Sequence, residues 1–386
     1  MKNRKRLFAL LLSLFLAASL CACTGEQADS SEPPSEALTP DPTAAPTVEV
    51  DLSQDMAVFS AGLSPTDVLL TVNGADVPAD LFLYLLFWDC YYFEYNYYYY
   101  YYYGYTMDDF AEDLLEDTVD QALYYTLLHQ KAAELGCVLT DDQQAELESY
   151  KTGDEQESYE QYRAAFGLSD ESMSFLDANR YYYENLLNAV TAEPSDQELW
   201  DYLDDQGAFY VKHILLMTVD QSTYEDLSED EITKKKALAD DLLARLQAAE
   251  DMPALFDDLM NEYSEDGGLT TNPDGYVFTD SDSLVEGFRE VALELEDGQL
   301  SGVVETDYGY HIMLRLALTD MTDEMRESYR RAIRQEDLDG QVDQWTDAAE
   351  ITRAGALDDI DVADFYERYL AYYTAFMEQY EAAAEG

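Results

Sequence analysis

Two strand-like segments, one from Phe209 to Met217 and one ending at Leu316, bracket a mixed stretch and carry two of the chain's three histidines, His213 and His311. Their Val-, Ile- and Leu-rich character fits strands buried in a core. Between them lie two helical patterns, Asp230 to Ala249 and Pro253 to Tyr263, and then a short extended piece from Gly275 to Thr279. Leu284, Val285, Phe288, Ala292 and Leu295 share one face of a third helical pattern, which Asp297-Gly298 ends. Leu300 to Thr306 and Tyr308 to Leu316 are separated by Asp307 alone, a tight hairpin with Gly309 beside the turn. The order strand, helix, helix, short strand, helix, strand, strand defines a mixed module at the centre of the chain.

The flanks read differently. Val68 to Val77 is a short strand, an Asn73-Gly74 turn and a second short segment, followed by an apolar helical stretch from Pro78 to Cys90. Helical spacing then runs from Met107 to Leu135, from a Thr140 to Gln143 capping box, from Ser169 to Ala192, and from a Ser195 to Glu198 capping box to Gly207. Thr322 to Trp345 and Ala363 to Ala384 are helical again, with no strand signal between them. The third histidine, His129, sits on a helical pattern and is assigned no role. Tyr91 to Tyr105 includes an unbroken tyrosine run from Tyr97 to Tyr103. That run reads either as an aromatic surface for unfolded chains or as a low-complexity insert.

The N-terminus and the charge bound where such a chain works. Lys2, Arg4, Lys5 and Arg6 precede an apolar run from Leu7 to Leu20, too short for an ordinary membrane span and suited to a secretory signal. Leu20-Cys-Ala-Cys23 resembles the bacterial lipobox, with Cys21 an unusual occupant of its position; the resemblance implies cleavage after Ala22 and lipidation of Cys23. The expected division is a signal peptide over 1–22, a disordered Ser-, Pro- and Thr-rich tether over 23–62, a helical domain over 63–204, the mixed domain over 205–318, and C-terminal helices over 319–386 that pack on the N-terminal domain. With 21 Lys plus Arg against 82 Asp plus Glu, the formal net charge is −61, which excludes nucleic acid as a partner. Cys90 and Cys137 are read as buried free thiols rather than a disulfide framework.

Six pieces carry a resemblance: Val211 to Leu215, Tyr263 to Asp266, Asp274 to Phe278, Leu284 to Phe288, Leu295 to Ser301, and Thr306 to Ile312. In this order and spacing they resemble a parvulin-type (PpiC-like) peptidyl-prolyl isomerase domain. With the lipobox and the helical flanks, the chain is similar to the PrsA/SurA-like extracytoplasmic foldase lipoproteins. The resemblance implies an α+β fold. A four-stranded antiparallel sheet with surrounding helices is inserted in a mostly helical chaperone module built from the N- and C-terminal segments. It also implies cis/trans isomerase activity on unfolded or newly exported polypeptides with X–Pro bonds, at the outer face of the bacterial cell membrane, with no cofactor and no metal.

Carried over residue by residue, His213 and His311 are the paired histidines, which hold the fold as well as the site. Thr306 is the hydroxyl that helps to fix them, and Asp266 stands near the prolyl bond. Leu284 and Phe288 form the apolar proline seat, with Phe278 and Tyr276 beside it. Asn272-Pro273 replaces a usual glycine pair, and a third wall of the seat falls at Gly275, where Tyr276 is available to fill the gap. The loop from Asp220 to Asp230 has no Lys or Arg, so it offers nothing to a phosphorylated Ser/Thr-Pro substrate. The alternative reading is a holdase-type chaperone whose isomerase domain is inactive.

Overall fold

The computed structural model describes residues 48–96, 104–223 and 225–384. The signal peptide, Cys23, most of the tether and the tyrosine run 97–103 lie outside the described residues. In chain order the elements are α1 (Met56–Ala61), β1 (Val68–Val72), β2 (Ala75–Pro78), α2 (Ala79–Asn96), α3 (Ala111–Leu135), α4 (Asp141–Thr152), α5 (Gln156–Ala165), α6 (Asp170–Val190) and α7 (Asp196–Asp205). They continue with β3 (Phe209–Met217), α8 (Glu229–Ala248), α9 (Met252–Tyr263), β4 (Tyr276–Phe278), α10 (Glu286–Glu294), β5 (Val304–Thr306), β6 (Gly309–Leu316), α11 (Asp323–Asp347), β7 (Ile351–Arg353), α12 (Gly355–Asp358) and α13 (Val362–Ala384).

The chain divides into two compact units, one made of both chain ends (to Thr191 and from Asp337) and one spanning Ala192–Glu336. In the first, α2 is apolar on nearly every face, and Phe82, Leu85 and Leu86 are fully buried. Helix α13 closes this core with Phe365 and Tyr369, each 1% exposed. Burying a side chain of that size contributes roughly 1.5–3 kcal/mol. The Tyr369 hydroxyl donates to the Phe166 carbonyl at 2.8 Å, so the phenol enters the core with its polar end satisfied.

Two short elements correct the sequence reading. The expected tether to Gly62 is too long, because Met56, Ala57 and Phe59 on α1 are buried and the Phe59 ring lies 5.7 Å from that of Tyr372. Six residues following a Pro- and Thr-rich tract are too few to show a helical period. Strand β7 also interrupts the helical tail, pairing antiparallel with β1 in a sheet of order β2-β1-β7. Asn73 fixes that pairing. It makes the β1–β2 turn at positive φ, its N–H donates to the Glu350 carbonyl at 2.8 Å, and its Oδ1 accepts from the Glu350 N–H at 2.8 Å. Helix α5 was likewise not separated from its neighbours in the sequence pattern. Cys90 is buried, Cys137 is half-buried, and both are free thiols. His129 donates from Nε2 to Asn179 Oδ1 at 2.7 Å and stacks on Phe175, while burial pushes its pKa down to about 4, so it is a neutral packed side chain.

Asp89 on α2 is buried against α3, where Thr118 Oγ1 donates to its Oδ2 at 2.6 Å. Burial pushes its pKa from an ordinary 3.8 up to about 7. A raised carboxyl favours the folded state fully below pH 3.8 and loses that contribution as pH rises through about 7. Asp89→Asn keeps an acceptor for Thr118 and removes the buried charge. At pH 8 the variant is expected to be more stable than wild type by roughly 2–4 kcal/mol, with the advantage gone near pH 4. Urea denaturation at the two pH values checks this; an equal difference at both would contradict it.

The second unit is wider than the expected 205–318. Leu199 and Leu203 on α7 pack with Tyr210 on β3 and with Met321, and Arg330 on α11 pairs with Asp196 at 2.6 Å. Its sheet is antiparallel with order β4-β3-β6-β5. Alternation along the two central strands separates two cores. Ile214, Leu216, Tyr310, Ile312 and Leu314 face α8 and α9, whereas Phe209, Val211 and Met313 face α10. His213 and His311 follow the second period, so both rings stand on the α10 face.

Candidate active site

Register brings the histidines together. His213 pairs with Met313 and Leu215 with His311, which makes the two rings diagonal neighbours on adjacent strands. Their Nδ1 atoms are 3.2 Å apart, the ring centroids 5.4 Å apart, and both side chains are buried. On one side of the pair, His311 Nε2 lies 2.9 Å from Thr306 Oγ1. On the other, His213 Nε2 lies 3.0 Å from Asp266 Oδ2.

Asp266 reaches this position because the turn after α9 continues the edge of β3 beyond the end of β4. The Leu215 N–H donates to Ser264 Oγ at 3.0 Å, the Glu265 N–H to the Leu215 carbonyl at 2.8 Å, and the Met217 N–H to Glu265 Oε2 at 2.7 Å. The Tyr263 to Asp266 piece therefore works as a clasp on β3. Two further donors meet the carboxylate: the Gly268 N–H donates to Oδ1 at 3.0 Å and the Tyr276 hydroxyl to Oδ2 at 2.5 Å. Burial alone would raise the Asp266 pKa, but the hydrogen bonds from His213, Tyr276 and Gly268 outweigh it and hold the carboxyl well below the usual carboxylate range. Burial, then the bond to Asp266, pushes the Tyr276 phenol up, so Tyr276 stays a donor at neutral pH. Burial, reinforced by the neighbouring His213, pushes His311 down to about 3.

For a neutral histidine pair these states admit one arrangement of protons, assigned from the hydrogen-bond network. Ionised Asp266 accepts from His213 Nε2–H, which leaves His213 Nδ1 as an acceptor for His311 Nδ1–H. His311 Nε2 then accepts the Thr306 hydroxyl proton, and the Tyr308 N–H donates to Thr306 Oγ1 at 3.2 Å. Every donor in the row points toward Asp266.

Aromatic rings cover the row. The Phe288 ring stands edge-on at 5.3 Å from both histidine rings and at 5.9 Å from Phe278. Tyr276 is parallel to Phe278 at 5.4 Å, and Leu284 packs against the same apolar cluster. Gly275 contributes no wall: at φ +100° a Cβ would sit 2.7 Å from Lys212 Cγ and 2.8 Å from the Val211 carbonyl oxygen. The structure thus gathers His213, His311, Asp266, Thr306, Leu284, Phe288, Phe278 and Tyr276 at one place. Sequence reasoning missed the Gly268 N–H, although an Asp whose side chain accepts from the amide two residues on is a common turn signature. Among the described residues no group of His, Cys, Asp and Glu is arranged to hold a metal ion.

An antiparallel sheet with central paired histidines, an acidic residue at one end of their hydrogen-bonded row and a hydroxyl at the other, under an aromatic cover, defines a parvulin-type domain. The family model of the PPIC-type PPIASE domain (Rotamase) matches residues 213–317. Among curated relatives, the chain is 34% identical over 139 residues to the Chaperone SurA of Pseudomonas fluorescens, covering 35% of this chain and 30% of that protein. It is 27% identical over 171 residues to the Foldase protein PrsA of Halalkalibacterium halodurans, covering 44% of this chain and 47% of the relative. The matches therefore span about a third to a half of those relatives' lengths. The solved structure of PrsA from Bacillus subtilis aligns at 19% identity over 74% of this chain and 92% of that one, with a TM-score of 0.27. Residues 213–317 therefore form a PPIC-type PPIASE domain, and parts of the chain are similar to proteins named as chaperones and foldases.

Proposed function

We propose that this chain is a peptidyl-prolyl cis/trans isomerase, tethered to the outer face of the cell membrane through Cys23, that assists the folding of exported polypeptides without selecting phosphorylated substrates. The observation that carries this reading is the polarised row from Thr306 to Asp266 lying under Phe288, Phe278 and Tyr276. Rotation about an X–Pro bond must overcome amide resonance, a barrier of about 18–20 kcal/mol. No covalent step is needed, only preferential binding of the twisted amide. The aromatic cover seats the proline ring, and a fixed anion near the carbonyl disfavours the planar form, in which resonance places extra negative charge on that oxygen. Thr306, His311 and His213 donate toward Asp266 in sequence, which keeps the anion in place while the bond turns. Absence of Lys and Arg from Asp220 to Asp230 supports indifference to phosphate. Among the described residues no helix is long and apolar enough to cross a membrane, and the tether reading rests on the lipobox alone.

The test is exchange spectroscopy on a proline-containing peptide with the chain lacking residues 1–22. Interconversion is expected to become faster than the uncatalysed tens to hundreds of seconds, and a phosphoserine before the proline is expected to bring no gain. A folded sample that leaves the rate unchanged rejects the enzyme. The second reading, a holdase with an inactive isomerase domain, is favoured by the missing side chain at Gly275. It predicts suppression of client aggregation without any effect on the peptide.

A further inference from the structure

We infer that Tyr276 is a positioning residue for the prolyl site: its hydroxyl holds Asp266 in the orientation that ends the histidine row, and its ring supplies the wall that Gly275 cannot. The inference rests on the isomerase reading and deepens it. Three observations place Tyr276 there. It pairs with Val211 in the β3–β4 register, two residues before His213 on the same face, so its side chain must stand beside the His213 ring; the centroids are 5.6 Å apart, edge-on. Its ring is fixed in direction by Phe278, parallel within 10°. Its hydroxyl reaches Asp266 Oδ2 at 2.5 Å, the same oxygen that faces His213 Nε2, so one carboxylate atom is held from both sides.

The phenol also needs room at its tip. A Cβ on Gly268 would come within 2.5 Å of the Tyr276 hydroxyl oxygen. Gly268 thus serves the carboxylate twice, by donating its N–H to Oδ1 and by leaving space for the donor to Oδ2. Without the phenol, Oδ2 keeps, among the described residues, only the hydrogen bond from His213. The carboxylate then has one bond fewer to hold its orientation, and the protons of the two imidazoles meet a less firmly fixed acceptor. Tyr276 acts through Asp266 and through the shape of the cleft; the reacting amide is handled by the groups it holds.

Three variants of the chain lacking residues 1–22 separate the two roles. Tyr276→Phe keeps the wall and removes the donor, so kcat is expected to fall roughly tenfold, the scale of a lost hydrogen bond to a charged group, with KM within about twofold of wild type. Tyr276→Leu removes the parallel ring and is expected to raise KM as well. Gly268→Ala pushes the phenol away and is expected to reproduce the Tyr276→Phe loss, with no further loss when the two are combined. Side-chain 15N spectra give a readout independent of turnover. Wild type is expected to show one tautomer per histidine, Nε2–H at His213 and Nδ1–H at His311, and Tyr276→Phe to show averaged signals. Should Tyr276→Phe fail to fold, Gly268→Ala carries the same comparison. Unchanged kcat and unchanged 15N signals in a folded variant overturn the inference, as does a rise in KM alone. If wild type itself turns over no peptide, the isomerase reading fails, while the 15N comparison still decides whether Tyr276 orders the row.

Discussion

Gly309→Ala is expected to unfold the unit from Ala192 to Glu336. Gly309 opens β6 at φ +143°, opposite Met217, where the first residue of the strand lies against the last of β3. A Cβ there would stand 2.2 Å from the Leu216 carbonyl oxygen and 2.9 Å from both Met217 Cα and Thr218 N, all backbone atoms that cannot turn aside. Relief requires opening the β3–β6 ladder, the same ladder that places the two histidines. Strain at such a position combined with a backbone clash belongs with the largest single-residue effects, above about 4 kcal/mol, a large fraction of an ordinary domain's stability. Calorimetry of the full chain should show loss of the transition belonging to this unit, together with loss of the dispersed histidine signals. A melting temperature within about 2 °C of wild type would contradict the close approach described here.

His311→Ala should abolish most turnover and also change how the unit responds to acid. The row needs His311 to join Thr306 to His213, and losing a group that holds a site in its productive geometry costs on the order of a hundredfold in rate. The stability effect has a definite sign. Burial holds the His311 pKa near 3 in the folded state, against an ordinary 6.5. The unfolded chain therefore binds the proton first. The contribution of neutral His311 is fully present above pH 6.5, declines as pH falls below that value, and is lost through about pH 3. Wild type is expected to exceed His311→Ala in stability by roughly 2–4 kcal/mol at pH 7.5, through lost packing and an orphaned His213. The gap should narrow toward pH 4, and urea titrations at the two pH values measure it. A gap that widens on acidification would mean that His311 is charged in the folded state.

Much of the central module was legible because its signals are local. The two histidine-bearing strands are long and apolar, and the cap at Ser195 is short-range chemistry that survives in any context, whereas α10 stops at Glu294, short of the end expected at Asp297-Gly298. The row of hydrogen bonds was legible only through resemblance, because it joins residues on four separate segments and no spacing in the chain records it. Gly268 and the hydroxyl of Tyr276 show the limit clearly: the resemblance set the Tyr276 ring beside the seat, but only the fold sets its phenol 2.5 Å from a carboxylate. Strand β7 was illegible for another reason. Its three residues are all exposed, so they show no apolar alternation, and they pair with β1, beside an Asn73–Glu350 contact that itself spans 277 residues. Helix α1 was hidden by the composition before it, which masked a buried face only six residues long.

Helix α13 has a consequence for how the molecule comes into being. Phe365, Tyr369 and Tyr372 are among its core-facing residues, and they fill space against α1 and α2, the earliest helices described. A ribosome releases α1 and α2 before α13, with the whole parvulin domain made in between. The N-terminal helices must therefore wait, greasy side uncovered, through the synthesis of everything else. Helix α13, made after the helices it covers, is the keystone that ends that state.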